Sequence, residues 1–296
     1  MDIGGLTAVD RNVEGVVEMM LDATQHYAAP LTEDRLFGWH AALFPTGRSG
    51  MDRMTVGGWR DDRAGPMQVV SGPMGRERVH FEGPPAERLA DEMAAFLAWF
   101  NESKTIDPVI GAAIAHLWFV TIHPFDDGNG RMARAIADMA LARSDDSPQR
   151  FYSMSAQIRV QRNVYYEILE ATQKGDLGIT GWLVWFLDRL DAAFAGADKV
   201  LGSVLAKAKF WEMHAGVSFN ARQHMMLNRL LNGFVGKLTT SKYAKLAKCS
   251  QDTALRDVDD LVKRGVLTKD AGGGWSTSYS LLSHTIGPLP QTETPY

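Results

Sequence analysis

Apolar residues return at steps of three and four through most of this 296-residue chain, and that period dictates helices. In Pro85 to Phe100, Leu89, Met93, Phe96, Leu97 and Phe100 fall on one helical face behind the start signal Pro84-Pro85. The same spacing predicts helices over Val16 to Tyr27, Thr32 to Leu43, Ile106 to Ile122, Met132 to Ala142, Ile158 to Gln173 and Ile179 to Leu205. Only Gly57 to Gly83 breaks it. There MQVV and RVHF, joined by SGPMG, predict a β-hairpin over residues 68–83.

The pattern changes at Phe219. NARQHMMLNRLL, KYAKLAKC and QDTALRDVDDLVKRG read as three helices, and VLTKDAGGGWSTSYSLL as two short strands around a glycine-rich turn. Helices followed by a hairpin describe a winged helix-turn-helix. The expected division is therefore an all-α domain with one hairpin over residues 1–215, a winged helix over 216–282, and a flexible tail over 283–296 that carries three prolines.

Hydrophobic residues at 45% and charged residues at 22% are the balance of a chain with a packed core. The one cysteine, Cys249, excludes an internal disulfide and suits a reducing cytosol. The apolar run Val109 to Ile122 is shorter than the ~20 residues of a membrane span and carries His116, so it is expected as a buried core helix. MDIGGLTAVDR lacks the basic start and apolar block of an export signal, and a cytoplasmic protein without a membrane partner is expected. Charge is uneven: the net −4 divides into about +5 between Phe219 and Leu282 and about −9 elsewhere.

One segment concentrates chemistry: HPFDDGNGRMAR, residues 123–134. Pro124 disfavours helical geometry at His123, which places the imidazole on a loop. Gly128-Asn129-Gly130 opens the next helix, and bare amides at a helix start bind anions, phosphates above all. Arg131 and Arg134 add two forked cations on one face. Asp127 is a hard oxygen donor of the kind that holds Mg²⁺ beside phosphate. Together these are parts for phosphoryl or nucleotidyl transfer, with His123 as the base. Rival chemistries fail on spacing: GFVGKLT has Leu238 where a phosphate loop needs Ser or Thr, and no HExxH, GxSxG or paired cysteines occur.

The segment resembles the signature of the Fic family, HPFxxGNGRxxR, at every fixed position. The preceding helix, the hairpin and RVQRNVYYEILEATQKGDL also resemble the rest of a Fic core. The resemblance implies an all-α Fic core with a β-hairpin flap and a C-terminal winged helix-turn-helix domain. It implies a protein adenylyltransferase that moves AMP from ATP to a Ser, Thr or Tyr hydroxyl, with pyrophosphate leaving. In that reading His123 deprotonates the hydroxyl, and Asp127 holds Mg²⁺. The amides of Gly128, Asn129 and Gly130 and the guanidinium of Arg131 stabilise charge on the α and β phosphates, and Arg134 takes the γ phosphate. Phe125 packs under the loop. Tyr165 and Tyr166 match the tyrosine pair that borders adenine in similar proteins, or serve as core aromatics at helical spacing. Val79, His80, Phe81 and Glu82 match the flap that pairs with the target by strand addition. Related kinases of the Doc type carry lysine at the second glycine; Gly130 leaves that space open and favours AMP. Transfer of uridylyl or another phosphate-containing group stays an alternative.

Inhibitory helices of similar proteins carry Ser/Thr-x-x-x-Glu-Gly/Asn. Asp10-Arg-Asn-Val-Glu14-Gly15 lacks the hydroxyl residue, so Glu14 is either an inhibitory partner of Arg134 or a solvated first-turn acid. A shortened, derepressed form is the companion expectation. Expected partners are a target protein with an exposed hydroxyl, the chain itself in self-modification, a second copy in a homodimer, and DNA through the winged helix. The recognition helix would be Gln251 to Arg264, with Thr253, Arg256 and Lys263, and the wing Lys269 to Tyr279. Asp252, Asp257, Asp259 and Asp260 crowd that helix, leaving DNA and protein contact equally open. The rival function is a DNA-binding regulator that senses nucleotide; an intact His123 argues against it, since sensing needs no base.

Overall fold

The computed structural model describes residues 8–63, 65–73, 75–102, 106–176, 178–271 and 277–282. The expected tail, 283–296, and most of the wing's turn lie outside them. The chain forms two compact units that divide between Phe194 and Ala195, inside a helix, whereas periodicity places the boundary at 215/216 near that helix's end.

The first unit runs α1 (Ala8–Gln25), α2 (Glu33–Leu43), β1 (Arg48–Ser49), β2 (Asp52–Arg53), β3 (Gln68–Ser71), β4 (Arg78–Glu82), a 3₁₀ turn (Ala86–Arg88), α3 (Leu89–Glu102), α4 (Pro108–Ile122), α5 (Asn129–Asp145), α6 (Met154–Val160), α7 (Arg162–Gln173) and the first part of α8 (Thr180–Met213), whose remainder from Ala195 belongs to the second unit. Helix starts follow their caps: Thr32 accepts from the Arg35 amide, and Asp107 accepts from the Val109 and Ile110 amides ahead of Pro108. α4 packs along α5 at the centre, with alanines buried on both helices that let the backbones approach. Gly15 serves the same end in α1, since a Cβ there would stand 1.9 Å from the Ala42 carbonyl oxygen. Phe96, Phe119, Trp182 and Phe186 are wholly buried in this core, each contributing about 2–3 kcal/mol.

His116 sits in that core, as its place in an apolar helix predicts. Tyr165 lies 3.0 Å from its Nε2, and Trp182 and Phe186 flank the ring. Burial pushes its pKa down to about 3, so it is neutral and structural.

The predicted helix Ile158 to Gln173 is interrupted at Gln161, which leaves the helical region at φ −111, ψ 39. Periodicity could not reveal this, because the buried Met154, Ile158, Tyr165 and Leu169 keep one helical phase across the break. The hairpin forms where predicted, with a register shift between Val69 and Val70. β1 and β2, two residues each, are too short to show alternation in the sequence.

The second unit contains α9 (Ala221–Leu231), β5 (Leu238–Thr239), α10 (Thr240–Ala247), α11 (Gln251–Lys263), β6 (Leu267–Lys269) and β7 (Ser278–Leu281). The strands pair antiparallel in the order β5-β7-β6. Its core is Leu227, Tyr243, Val258 and Leu261 with neighbours. Asp257, only 6% exposed, ties it together by accepting from Asn220, Arg222 and Tyr243.

Candidate active site

The loop between α4 and α5 is built on Phe125. Its ring is wholly buried and stacks on His40 at 4.2 Å, with Trp59 and Phe119 beside it. The side chain of Asn129 then closes the loop, accepting from the Phe125 amide at 3.0 Å and donating to the Phe125 carbonyl at 2.7 Å. Asn129 is 2% exposed, so its amide group serves the loop and only its backbone is left to a ligand.

Gly128 caps α5 at φ +85, and a Cβ there would come within 3.0 Å of Phe44; both backbone and space demand glycine. Gly130 is different. Its backbone is helical, and an added Cβ would meet only Arg134 Nη1, at 3.6 Å. The Gly128 carbonyl accepts from the Arg131 and Met132 amides. The amides of Asn129 and Gly130 are those that a helix start leaves for an anion. Arg131 reaches Asp127 at 3.6 Å and lies over the Phe44 ring. The side chain of Arg134, half-buried, makes no hydrogen bond or ion pair to any described residue. A guanidinium left free beside free amides is a place for a polyanion.

Asp127 is half-exposed, accepting from Ser49 Oγ at 2.7 Å and from the Gly128 amide at 2.5 Å. No cluster of three or more His, Cys, Asp or Glu that could cage a metal ion exists among the described residues. A single exposed carboxylate fits an ion such as Mg²⁺ that keeps waters and takes its other oxygens from phosphate.

His123 ends α4 in the left-handed region, φ 51 and ψ 56, a strained place for a non-glycine before proline. Its Nδ1 lies 3.1 Å from the Val120 carbonyl. A carbonyl only accepts, so Nδ1 carries the proton and Nε2 keeps its lone pair. Burial, and secondarily the charge of Arg60, lower the imidazole pKa from 6.5, against the bond to Val120 and the charge of Asp127.

Arg60, whose side chain has no exposed surface, holds this strained bend. Its Nε donates to the His123 carbonyl at 2.8 Å, Nη2 to the Pro84 carbonyl at 2.6 Å and Nη1 to Asp62 at 2.8 Å, while its amide donates to the Pro124 carbonyl. The strand β4 leads straight into this grip. A Cβ on Gly83 would stand 3.6 Å from His123 Cβ, so the hairpin's last residues adjoin the imidazole.

In β4, Arg78 and His80 turn to α7, where Glu170 accepts from both, at 2.8 and 2.5 Å, and from Lys174 at 2.8 Å. Ser71 Oγ lies 2.6 Å from the other His80 nitrogen. The side chain of His80 therefore anchors the hairpin. Lys174 first, then His80 and Arg78, push the Glu170 carboxyl down to about 2. Val79 and Phe81 alternate to the opposite face, Val79 41% exposed. Glu82 accepts from Gln68 across the strands at 2.9 Å.

His123, Asp127 and the residues of 128–134 thus come together, and β4 ends beside them. Tyr165 stands apart at 3% exposure, bonded to His116; of the pair only Tyr166, 48% exposed, offers a surface. Glu14 is exposed and makes no ion pair with Arg134 or any other described residue. Sequence reasoning missed Ser49, Arg60 and Glu170, each distant in sequence from the residue it serves, and Asp62, two residues from Arg60 in a stretch with no motif.

Residues 30–141 match the Fic/DOC family model. Similar proteins include the protein adenylyltransferase Fic of Drosophila yakuba, 37% identical over 37% of this chain and 22% of its own length. The protein adenylyltransferase fic-1 of Caenorhabditis elegans is 32% identical over 43% of this chain and 23% of its own. A uridine 5'-monophosphate transferase of Xanthomonas campestris pv. campestris (strain 8004) is 36% identical over 39% and 22%. The chain thus spans under a quarter of the length of these relatives. A Fic family protein from Desulfovibrio desulfuricans G20 has a similar fold, at TM-score 0.50 and 21% identity over 95% of this chain and 77% of that one. Residues 30–141 accordingly form a Fic/DOC family domain within a helix-rich Fic fold.

Proposed function

We propose that this protein transfers AMP from ATP to a Ser, Thr or Tyr hydroxyl of a target protein. The observation that carries the reading is the imidazole of His123, its Nδ1 committed to Val120 and its Nε2 left basic beside an anion cradle. Nε2 takes the hydroxyl proton as the oxygen forms a bond to the α phosphorus. The bond from that phosphorus to the oxygen bridging to the β phosphorus breaks, and its electron pair leaves with pyrophosphate. The amides of Asn129 and Gly130, with Arg131, stabilise charge on the α and β phosphates, and Arg134 receives the γ phosphate. Asp127 would hold Mg²⁺, which when bound supplies further positive charge there. Tyr166 borders the base, and the β3–β4 hairpin pairs with an extended target segment, since no third strand covers it among the described residues. The second unit takes the part of a winged helix-turn-helix, in a reducing cytosol.

Incubation with ATP labelled at the α or γ phosphorus, or with α-labelled UTP, tests the reading. Transfer of the α label from ATP alone is expected. Transfer of the γ label alone would make the chain a kinase. Preference for UTP would give the second reading, UMP transfer, which the Xanthomonas relative favours.

The hairpin's anchorage gives a separate expectation. Glu170→Ala removes the acceptor of Arg78 and His80 while leaving the cradle untouched. Hydrogen exchange at residues 78–82 is expected to speed up and the KM for target protein to rise, each about two- to fivefold. The KM for ATP is expected to hold; a rise in it instead would tie Glu170 to the nucleotide.

A further inference from the structure

The acids of α11 count against nucleic acid when read along the sequence, but the fold turns two of the four away. Asp257 is buried against α9, bonded to Asn220, Arg222 and Tyr243. Asp260 accepts from Gln223 at 2.8 Å and pairs with Arg264 at 2.9 Å. Both hold the unit together, and only Asp252 and Asp259 are left without partners on that helix. On the other side of the ledger, Lys245, Lys248, Arg256, Lys263 and Lys269 are exposed and make no side-chain hydrogen bond or ion pair to any described residue.

The geometry of α10 and α11 gives these cations a use. Lys248-Cys249-Ser250 joins the helices in a three-residue turn, with Lys248 in the left-handed region and Ser250 capping α11. Gln251 Nε2 donates to Ser241 Oγ, tying the two helix starts together. Four side chains reach solvent from the first half of α11: Gln251, Asp252, Leu255 and Arg256. Each has a base edge it reads: Gln251 adenine, Arg256 guanine, Asp252 the cytosine amino group, Leu255 the thymine methyl. An outward acid here discriminates between bases and does not simply repel phosphate.

We propose that the second unit binds double-stranded DNA, with the first half of α11 in the major groove and Lys245, Lys248 and Lys269 on flanking phosphates. This site stands apart from the transfer reaction and does not depend on it.

Selection by the full chain from duplexes randomised over about 20 base pairs, followed by fluorescence anisotropy with the selected and a scrambled duplex, tests it. The selected duplex is expected to bind at least about 10³-fold more tightly than the scrambled one. Three phosphate contacts predict a salt slope near −3 in log K against log salt. Arg256→Ala is expected to cost about 10–100-fold and relax preference at one base position, and Lys245→Ala to weaken both duplexes alike and lower the slope by about one. His123→Ala is expected to bind as the unaltered chain does. Failure of any sequence to enrich, or unchanged duplex affinity in Arg256→Ala, would overturn the proposal. Loss of transfer to a protein target in Arg256→Ala with duplex affinity intact would instead make α11 a protein contact.

Discussion

His123→Ala is expected to lower label transfer by about 10²–10⁴-fold while shifting the urea midpoint little. The side chain is half-buried and its one hydrogen bond, to the Val120 carbonyl, is worth about 1 kcal/mol. Alanine has the same difficulty as histidine at φ 51, so backbone strain is unchanged. The pH profile carries a second test. Burial lowers the His123 pKa from 6.5, and a base acts only when unprotonated. Full rate therefore persists through neutral pH, and the acid limb falls below pH 6.5. The same shift links to stability: between 6.5 and the lower folded value the unfolded imidazole takes up a proton that the folded one refuses. Stability is lost as pH falls through that window and is fully present above it. An acid limb centred above pH 6.5, or transfer that survives in His123→Ala, would remove the imidazole from the reaction.

How much of this was legible in the sequence depends on distance along the chain. Thr32, Asp107 and Ser250 announce the helices they cap, because a cap and its amide are two or three residues apart. The loop 123–134 was legible for the same reason: the imidazole, glycines and guanidiniums are local to one turn. Asn129 shows where that stops. Its backbone amide is legible as part of the cradle, but the use of its side chain to close the loop on Phe125, four residues back, is not. Tyr165 and Tyr166 are adjacent, yet helical geometry points one at His116 in the core and leaves the other at the surface. Asp257 counted as a surface charge until α9 supplied Arg222, 35 residues away. Long-range pairs of this kind leave no period or spacing to read.

Arg60 is the strongest instance, and its removal is expected to have the second large effect. In sequence it is one residue of GGWRDD, in a turn-rich stretch with no motif. In the fold it has no exposed side-chain surface and bonds the His123 carbonyl, the Pro84 carbonyl and Asp62. Asp62 in turn accepts from the Ala86 amide at 2.6 Å, so the same pair also fixes the start of the 3₁₀ turn that leads into α3. Arg60→Ala leaves two carbonyls and a carboxylate without their donor, a loss of about 3–5 kcal/mol. Arg60→Lys separates stability from function. A lysine keeps the charge near Asp62, but its single ammonium does not reproduce a fork that spans three acceptors. The strained bend at His123 then loses its tether, and the end of β4 is no longer held against it, while the amides and arginines of α5 stay in place. For Arg60→Lys, measured where the chain is still folded by urea titration, kcat is expected to fall at least tenfold with the KM for ATP nearly unchanged. A lysine variant with the original kcat would mean that the imidazole is held by Val120 and Pro124 alone, and that the alignment of base with target strand has another source.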